Sequence, residues 1–226
     1  MPAGTGNRIL DTLPVSGRRS FQKFLVSLAA GSQVFKQGER ITHALFPTTA
    51  VCSLVVELAS GNKAETGAVG REGFVGAPLV LGMPTSQCTA VIQVPGEGYR
   101  VAAKSVLDLS RQCEAFRSAL LGFSAHCLHV ASRSVACNSF HSIVQRAARW
   151  LLFAHDRAGK DEFQLTHEFL SAMLAATRPR VSQAAARLRA DGIIDYRRGT
   201  VRILDRKRLE KVACECYEET LWVAPR

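Results

Sequence analysis

LTHEFLSAMLAATRPRVSQAAARLRADGIIDYRRGTVRIL, from Leu165 to Leu204, is the stretch whose reading decides the fold. It divides into a helix, a tight turn, a second helix and a short basic hairpin. Thr177 suits an N-cap, and Pro179 is tolerated behind it because first-turn N–H groups have no intrahelical partner. A helix is therefore expected from about Thr177, with Val181, Ala185 and Leu188 as its buried stripe at i, i+4 and i+7. Arg178, Arg180, Gln183 and Arg187 fall off that stripe, so the outer face is cationic and rich in donors. An amphipathic helix with merely solvated charges would show the same pattern if it stood alone. Its neighbours argue otherwise. The preceding helix starts at Thr166 and buries Phe169, Leu170, Met173 and Leu174; Asp191-Gly192 stops the second helix. Ile193–Tyr196 and Val201–Leu204 then alternate like two strands about Arg197, Arg198 and Gly199. Together they form a winged helix-turn-helix.

Charge is concentrated in the same place. The chain of 226 residues carries a formal +10, and the stretch from Thr177 to Lys211 holds eleven Arg and Lys against four acids, a local +7. So focused a patch suits a polyanion, with nucleic acid the commonest; an acidic partner protein or a lipid surface gives the same crude count. Apolar residues make up 47% of the chain, ample for real cores. No apolar run reaches the length of a membrane span, and no signal-peptide block is seen, so a cytoplasmic protein without a membrane partner is expected. The seven cysteines lack CxxC spacing and read as free thiols. Cys214 and Cys216 form a CxC pair, a weak metal signal taken alone, and no metal site is assigned.

Upstream, residues 1 to about 30 include FQKFLVSLAA, expected to be a short helix with Phe21, Phe24, Leu25 and Leu28 on one face. From Gln33 to about Lys104, β-rich runs alternate with turn signals such as SGNK and PGEG, the texture of an antiparallel roll. The period then changes. Leu109, Cys113, Phe116, Leu120, Phe123, Cys127 and Val130 advance by fours and threes, a heptad seam on a helix of roughly 40 Å. Leu121, Leu128 and Val135 form a second apolar edge. Two faces suit one for the body and one for a partner; the seam is assigned to a homodimer and the second edge to the β domain. Cys127 on the seam would make an intersubunit thiol pair in a parallel dimer. Asn138 and Ser139 are expected to break this helix and cap the next, which Gly159 ends.

The order of parts resembles the cyclic AMP receptor and Fnr superfamily of bacterial transcription regulators over nearly the whole chain. QGE at Gln37–Glu39, GFVG at Gly73–Gly76 and, most specifically, Leu165 to Ile194 carry the resemblance. It implies an α+β fold: a cyclic-nucleotide-binding-like β-roll at 1–108, a dimerisation helix at 109–137, and a winged helix-turn-helix domain at 138–226. By the same resemblance the second helix enters the major groove of double-stranded DNA. Arg178 matches a base-reading position, and its forked donors fit guanine O6 and N7; Gln183 can offer an amide pair to adenine. Pro179 stands where receptor-like members carry a Glu, so the target sequence should differ. His167, Thr177 and Arg180, with Arg197, Arg198 and Thr200 in the wing, match positions that touch phosphate and set register.

At the ligand pocket the sequence departs from that family. Cyclic-nucleotide binders place a Glu after FG and an Arg-Ser or Arg-Thr pair a short loop later. Here Ala77 follows Gly76 in place of the acid, and Gln87-Cys88 occupies the place of the cationic pair. A buried phosphate would lose a charge-assisted bond of about 1.5–3 kcal/mol. The pocket is read as vestigial for cyclic nucleotides, with no cofactor assigned and another effector in the β-roll left open. The iron–sulfur type needs clustered N-terminal cysteines, whereas the first here is Cys52. His126 and His129, at i and i+3, read as helix-surface histidines rather than haem ligands. Scattered histidines and the absence of a nucleophile motif or a phosphate-binding Gly loop argue against an enzyme. The leading expectation is a homodimeric DNA-binding regulator, for which the resemblance admits RNA polymerase as a further partner. The alternative is a non-enzymatic small-molecule or protein-interaction module whose basic C-terminal surface binds an acidic partner.

Overall fold

The computed structural model describes residues 4–221 and divides the chain into two compact units. One comprises residues 4–57 and 66–129, the other residues 58–65 and 130–221. In chain order the first elements are α1 (Val15–Phe21), a 3-10 turn (Gln22–Phe24), β1 (Leu25–Leu28), β2 (Gln33–Phe35), β3 (His43–Pro47), β4 (Val51–Glu57) and β5 (Lys63–Val69). There follow α2 (Ala77–Val80), β6 (Thr89–Val94), β7 (Gly96–Ala102), α3 (Ala103–Gln112) and α4 (Glu114–Phe140). The strands form two antiparallel sheets, ordered β1-β7-β3 and β2-β6-β4-β5, which is the expected roll. FQKFLVSLAA is only half helical: the chain leaves the 3-10 turn at Leu25 and pairs with β7, Leu25 opposite Tyr99.

Phe21, Phe46, Phe74, Phe116, Leu120 and Phe123 form the centre of the first unit's core. Phe46 stacks on Phe74 at 5.6 Å between centroids, and Phe74 meets Phe123 at 5.8 Å. The GFVG motif is explained by this packing. A Cβ at Gly73 would sit 1.9 Å from the Phe123 ring, so only glycine admits that ring; Gly76, at φ +129°, adopts a backbone state that side chains disfavour.

Two expectations about the long helix are corrected. Cys113 is extended, at φ −130° and ψ 104°, so Leu109 ends on α3 while the rest of the seam lies on α4. More consequentially, Phe116, Leu120 and Phe123 are 0%, 0% and 2% exposed inside the first unit, with Leu109, Cys113 and Cys127 packed against them. The seam assigned to a partner is the protomer's own core face, and Val130 is half-buried as well. Conversely, the edge assigned to the β domain is open: Leu121, Leu128 and Val135 are 38%, 70% and 69% exposed. Both edges have heptad spacing, and spacing alone carries no information about which one faces the aromatic core.

In the second unit, α4 continues to Phe140, beyond the expected break at Asn138. Ser142 rather than Ser139 caps α5 (Ile143–Ala158), through a reciprocal capping box with Gln145. Next come β8 (Glu162–Gln164), α6 (His167–Met173), α7 (Arg178–Ala190), β9 (Ile194–Arg197), β10 (Thr200–Ile203), α8 (Arg206–Val212) and α9 (Cys216–Glu219). Strand β8 was not anticipated in the sequence; it makes the wing a three-stranded sheet ordered β8-β10-β9. The Arg206 guanidinium donates to Asp156 and to the Tyr217 hydroxyl at 2.6 and 2.7 Å, and Tyr217 donates to Asp156, tying α8 and α9 to α5. Burial first, and then the bond to Asp156, push the Tyr217 phenol up to about 12.

Candidate nucleic-acid interface

The helix-turn-helix is α6, the turn Leu174–Thr177 and α7. Thr166 accepts from the Phe169 N–H at 3.1 Å and so starts α6 where the sequence places it. The turn is held from outside: Arg146, a buried side chain on α5, donates from its guanidinium to the Leu174 carbonyl that α6 leaves unpaired. Ala175 turns the chain at φ +45°, in the left-handed region. Thr177 occupies the N-cap position of α7, but its hydroxyl makes no capping bond and is exposed. Val181, Ala184, Ala185 and Leu188 are buried, which is the expected stripe with one added alanine.

The opposite face of α7 has the expected character. Arg178, Arg180 and Gln183 are exposed and, among the described residues, their side chains make no hydrogen bond or ion pair. Further along, Arg187 pairs with Asp191 at 2.9 Å and Arg189 with Asp195 at 3.3 Å. Positive charge without a counter-ion is thus concentrated in the first turn of α7, where a helix already favours anions.

In the wing, Arg198 and Gly199 are the two-residue loop between Arg197 and its cross-strand partner Thr200, at φ +48° and +77°. These signs at both positions make a type I′ hairpin, whose twist matches that of the strands. Arg198 projects from the tip with no acid bound among the described residues, whereas Arg197 is paired with Asp195 at 3.1 Å on the surface. Thr200 is half-buried and accepts from the Gln164 amide at 2.9 Å.

His167 differs most from its expected place at the phosphate surface. Its ring stacks on Tyr196 at 4.5 Å and 25°, and its Nδ1 shares a 2.9 Å hydrogen bond with Ser182 of α7. Tyr196 in turn donates to the Leu165 carbonyl. Burial, and secondarily the Arg178 guanidinium, hold the imidazole below its ordinary value of 6.5. Through these contacts His167 locks α6 to α7 and to the wing. Ser182, Tyr196 and Arg146 complete that lock and were missed in the sequence, where none belongs to a motif.

The residues expected to line a vestigial pocket also have definite places. Gly76 caps α2 and Ala77 begins it, while Gln87 is exposed. Ser86, only 2% exposed, donates to the Cys88 carbonyl at 2.6 Å, and burial pushes the Cys88 thiol up. The neighbouring polar group is thus satisfied locally.

Comparison with known proteins agrees with this geometry. Residues 145–212 match the model of the Crp-like helix-turn-helix domain. No curated protein matches the chain by sequence. Among solved structures, a Crp/Fnr-family transcriptional regulator from Eubacterium rectale superposes with a TM-score of 0.70 at 15% identity, covering 92% of this chain and 98% of that one. FixK2 from Bradyrhizobium japonicum gives 0.70 at 16%, covering 84% and 96%. A CRP-family regulator from Thermus thermophilus gives 0.70 at 20%, covering 83% and 96%. The fold is therefore the one shared by these Crp/Fnr-type structures. Within it, residues 145–212 form the part similar to the Crp-like helix-turn-helix domain, and the rest of the chain has the corresponding α+β fold.

Proposed function

We propose that the protein is a homodimeric, sequence-specific DNA-binding transcription regulator of the cytoplasm, and not an enzyme. The observation that carries this reading is the exposed first turn of α7, where among the described residues Arg178 and Arg180 have no acid partner and Gln183 lies one turn further on. In this reading α7 enters the major groove with Arg178 and Gln183 on base edges. Thr177, Arg180 and Arg198 hold phosphates; Arg197 joins them by exchanging Asp195 for the backbone. His167 and Thr200 support that surface from within.

The second copy packs on the open edge of α4. Leu121, Ala125, Leu128, Ser132 and Val135 advance by alternating fours and threes and are all exposed. That is the seam geometry of paired helices, with small residues permitting close approach. Two α7 helices so related would address half-sites roughly 34 Å apart in a near-palindrome. Selection from random duplex DNA should enrich such a motif; no enrichment at low salt would favour an acidic protein partner for the basic surface.

Cyclic AMP is not the effector in this proposal. Ala77 and Gln87 supply neither the acid nor the cation that a cyclic nucleotide requires, and calorimetry should show no binding at physiological nucleotide concentration. A micromolar constant would refute this part alone. Any effector, or a contact with RNA polymerase, must act through groups other than these.

A further inference from the structure

A second cluster of chemistry lies in the helix-turn-helix unit, away from α7. Cys137 near the end of α4, His141 just beyond it, and Cys214 and Cys216 in the C-terminal segment bring their sulfur and nitrogen atoms within 4.8 Å of one another. The three cysteines are 0%, 3% and 2% exposed. Cys137 Sγ and Cys214 Sγ are 3.6 Å apart, and Cys216 Sγ is 3.8 Å from His141 Nδ1. We infer that these four residues form a tetrahedral Cys3His site for a zinc ion.

The distances support one ion. With about 2.3 Å from zinc to sulfur and about 2.0–2.1 Å to nitrogen, tetrahedral angles place ligand atoms about 3.5–3.8 Å apart. Both of these distances agree with that spacing. An iron–sulfur cluster interposes its own irons and sulfides and would spread its cysteines further. The surroundings support it as well. His141 directs Nδ1 inward while its Nε2 lies 3.1 Å from the Glu215 carboxylate, the outer partner that fixes a ligating histidine's tautomer and orientation. Three thiolates and a neutral imidazole around a divalent cation leave one negative charge.

Local structure creates this arrangement. Cys137 and His141 are one helical turn apart, and the His141 N–H still donates to the Cys137 carbonyl at 3.1 Å. On the other side, the CxC spacing places Cys214 before α9 and Cys216 at its start. Binding would release the thiol protons and clamp the C-terminal segment to the α4–α5 junction, closing a span of 77 residues. The site makes a structural clamp, because all four positions of the ion are filled by protein.

The test uses the full chain, purified under reductant without added metal and with any histidine tag removed. Elemental analysis should find one zinc per chain. Replacement by cobalt(II) should give a thiolate-to-cobalt charge-transfer band and the intense visible bands of a tetrahedral site. Cys214→Ser and Cys216→Ser should each abolish stoichiometric retention, while Cys88→Ser retains it. Glu215→Ala should weaken affinity by about 10- to 100-fold. If the buried cysteine variants precipitate, His141→Gln, the more exposed ligand, should still alter the cobalt spectrum. The site is overturned if the wild type takes up neither zinc nor cobalt, if retention is indifferent to these changes, or if iron and sulfide are found instead. A native Cys137–Cys214 disulfide would also exclude it. None of these readouts depends on DNA binding.

Discussion

Arg178 and Arg180 both lie in the first turn of α7, and they should behave differently when altered. Arg178→Ala should relax one guanine position of the selected motif at about 1–3 kcal/mol. Arg180→Ala should instead weaken all sequences alike and reduce the slope of log affinity against log salt by about one. Binding isotherms over a salt series with matched and mismatched duplexes separate the two; unchanged specificity in Arg178→Ala would move base reading elsewhere. His167 should give a pH signature without DNA. Its folded value lies below 6.5, so the unfolded chain binds the proton more readily. Its stabilisation is therefore complete above about 6.5 and declines as pH falls through that region towards the folded value. Melting midpoints between neutral and mildly acidic pH should fall less steeply in His167→Gln than in the wild type.

Among the elements, α4 concentrates the most consequence. One side of it fills a core and the other stays open, so substitutions on the two sides should separate folding from assembly. Gly73→Ala drives a methyl into the Phe123 ring and should cost about 1–3 kcal/mol in the denaturation midpoint, the range of an overpacked core. A Leu128→Glu, Val135→Glu double variant changes two residues that are 70% and 69% exposed. It should keep the circular-dichroism spectrum and melting behaviour of a folded chain while sedimenting as a monomer; a persistent dimer would place the interface on another surface. The basic stretch from α7 through the wing to α8 shows why composition overstates reach. Arg187, Arg189, Arg197, Arg202 and Arg206 are each paired with acids, so fewer cations than the local +7 implies are available to a polyanion.

For the whole molecule, the comparisons show a fold shared with Crp/Fnr structures, and in the proposed reading Ala77 and Gln87 leave the β-roll without a cyclic nucleotide's partners. A switch requires an effector with different affinity for two states. If the β-roll takes none, occupancy of DNA should follow protein concentration alone, and footprints should be the same with and without cyclic AMP. Zinc in the Cys3His cluster would then serve stability rather than signalling. Among the described residues no helix is long and apolar enough to cross a membrane.

Local patterns determined a great deal on their own. Thr166, Gly159 and Gly192 mark helix ends because caps and left-handed stops depend on near neighbours, and the stripe Val181, Ala185, Leu188 follows from a period of 3.6 residues. The roll, the helix-turn-helix and the basic first turn of α7 were therefore legible. Tertiary structure alone decided which of two equally spaced edges of α4 meets the aromatic core, since a heptad repeat records period and not direction. It also decided that His167 stacks on Tyr196, and that Cys137 and His141 meet a CxC pair more than seventy residues away. Those contacts join segments with no common pattern, and only the path of the folded chain brings their atoms within bonding reach.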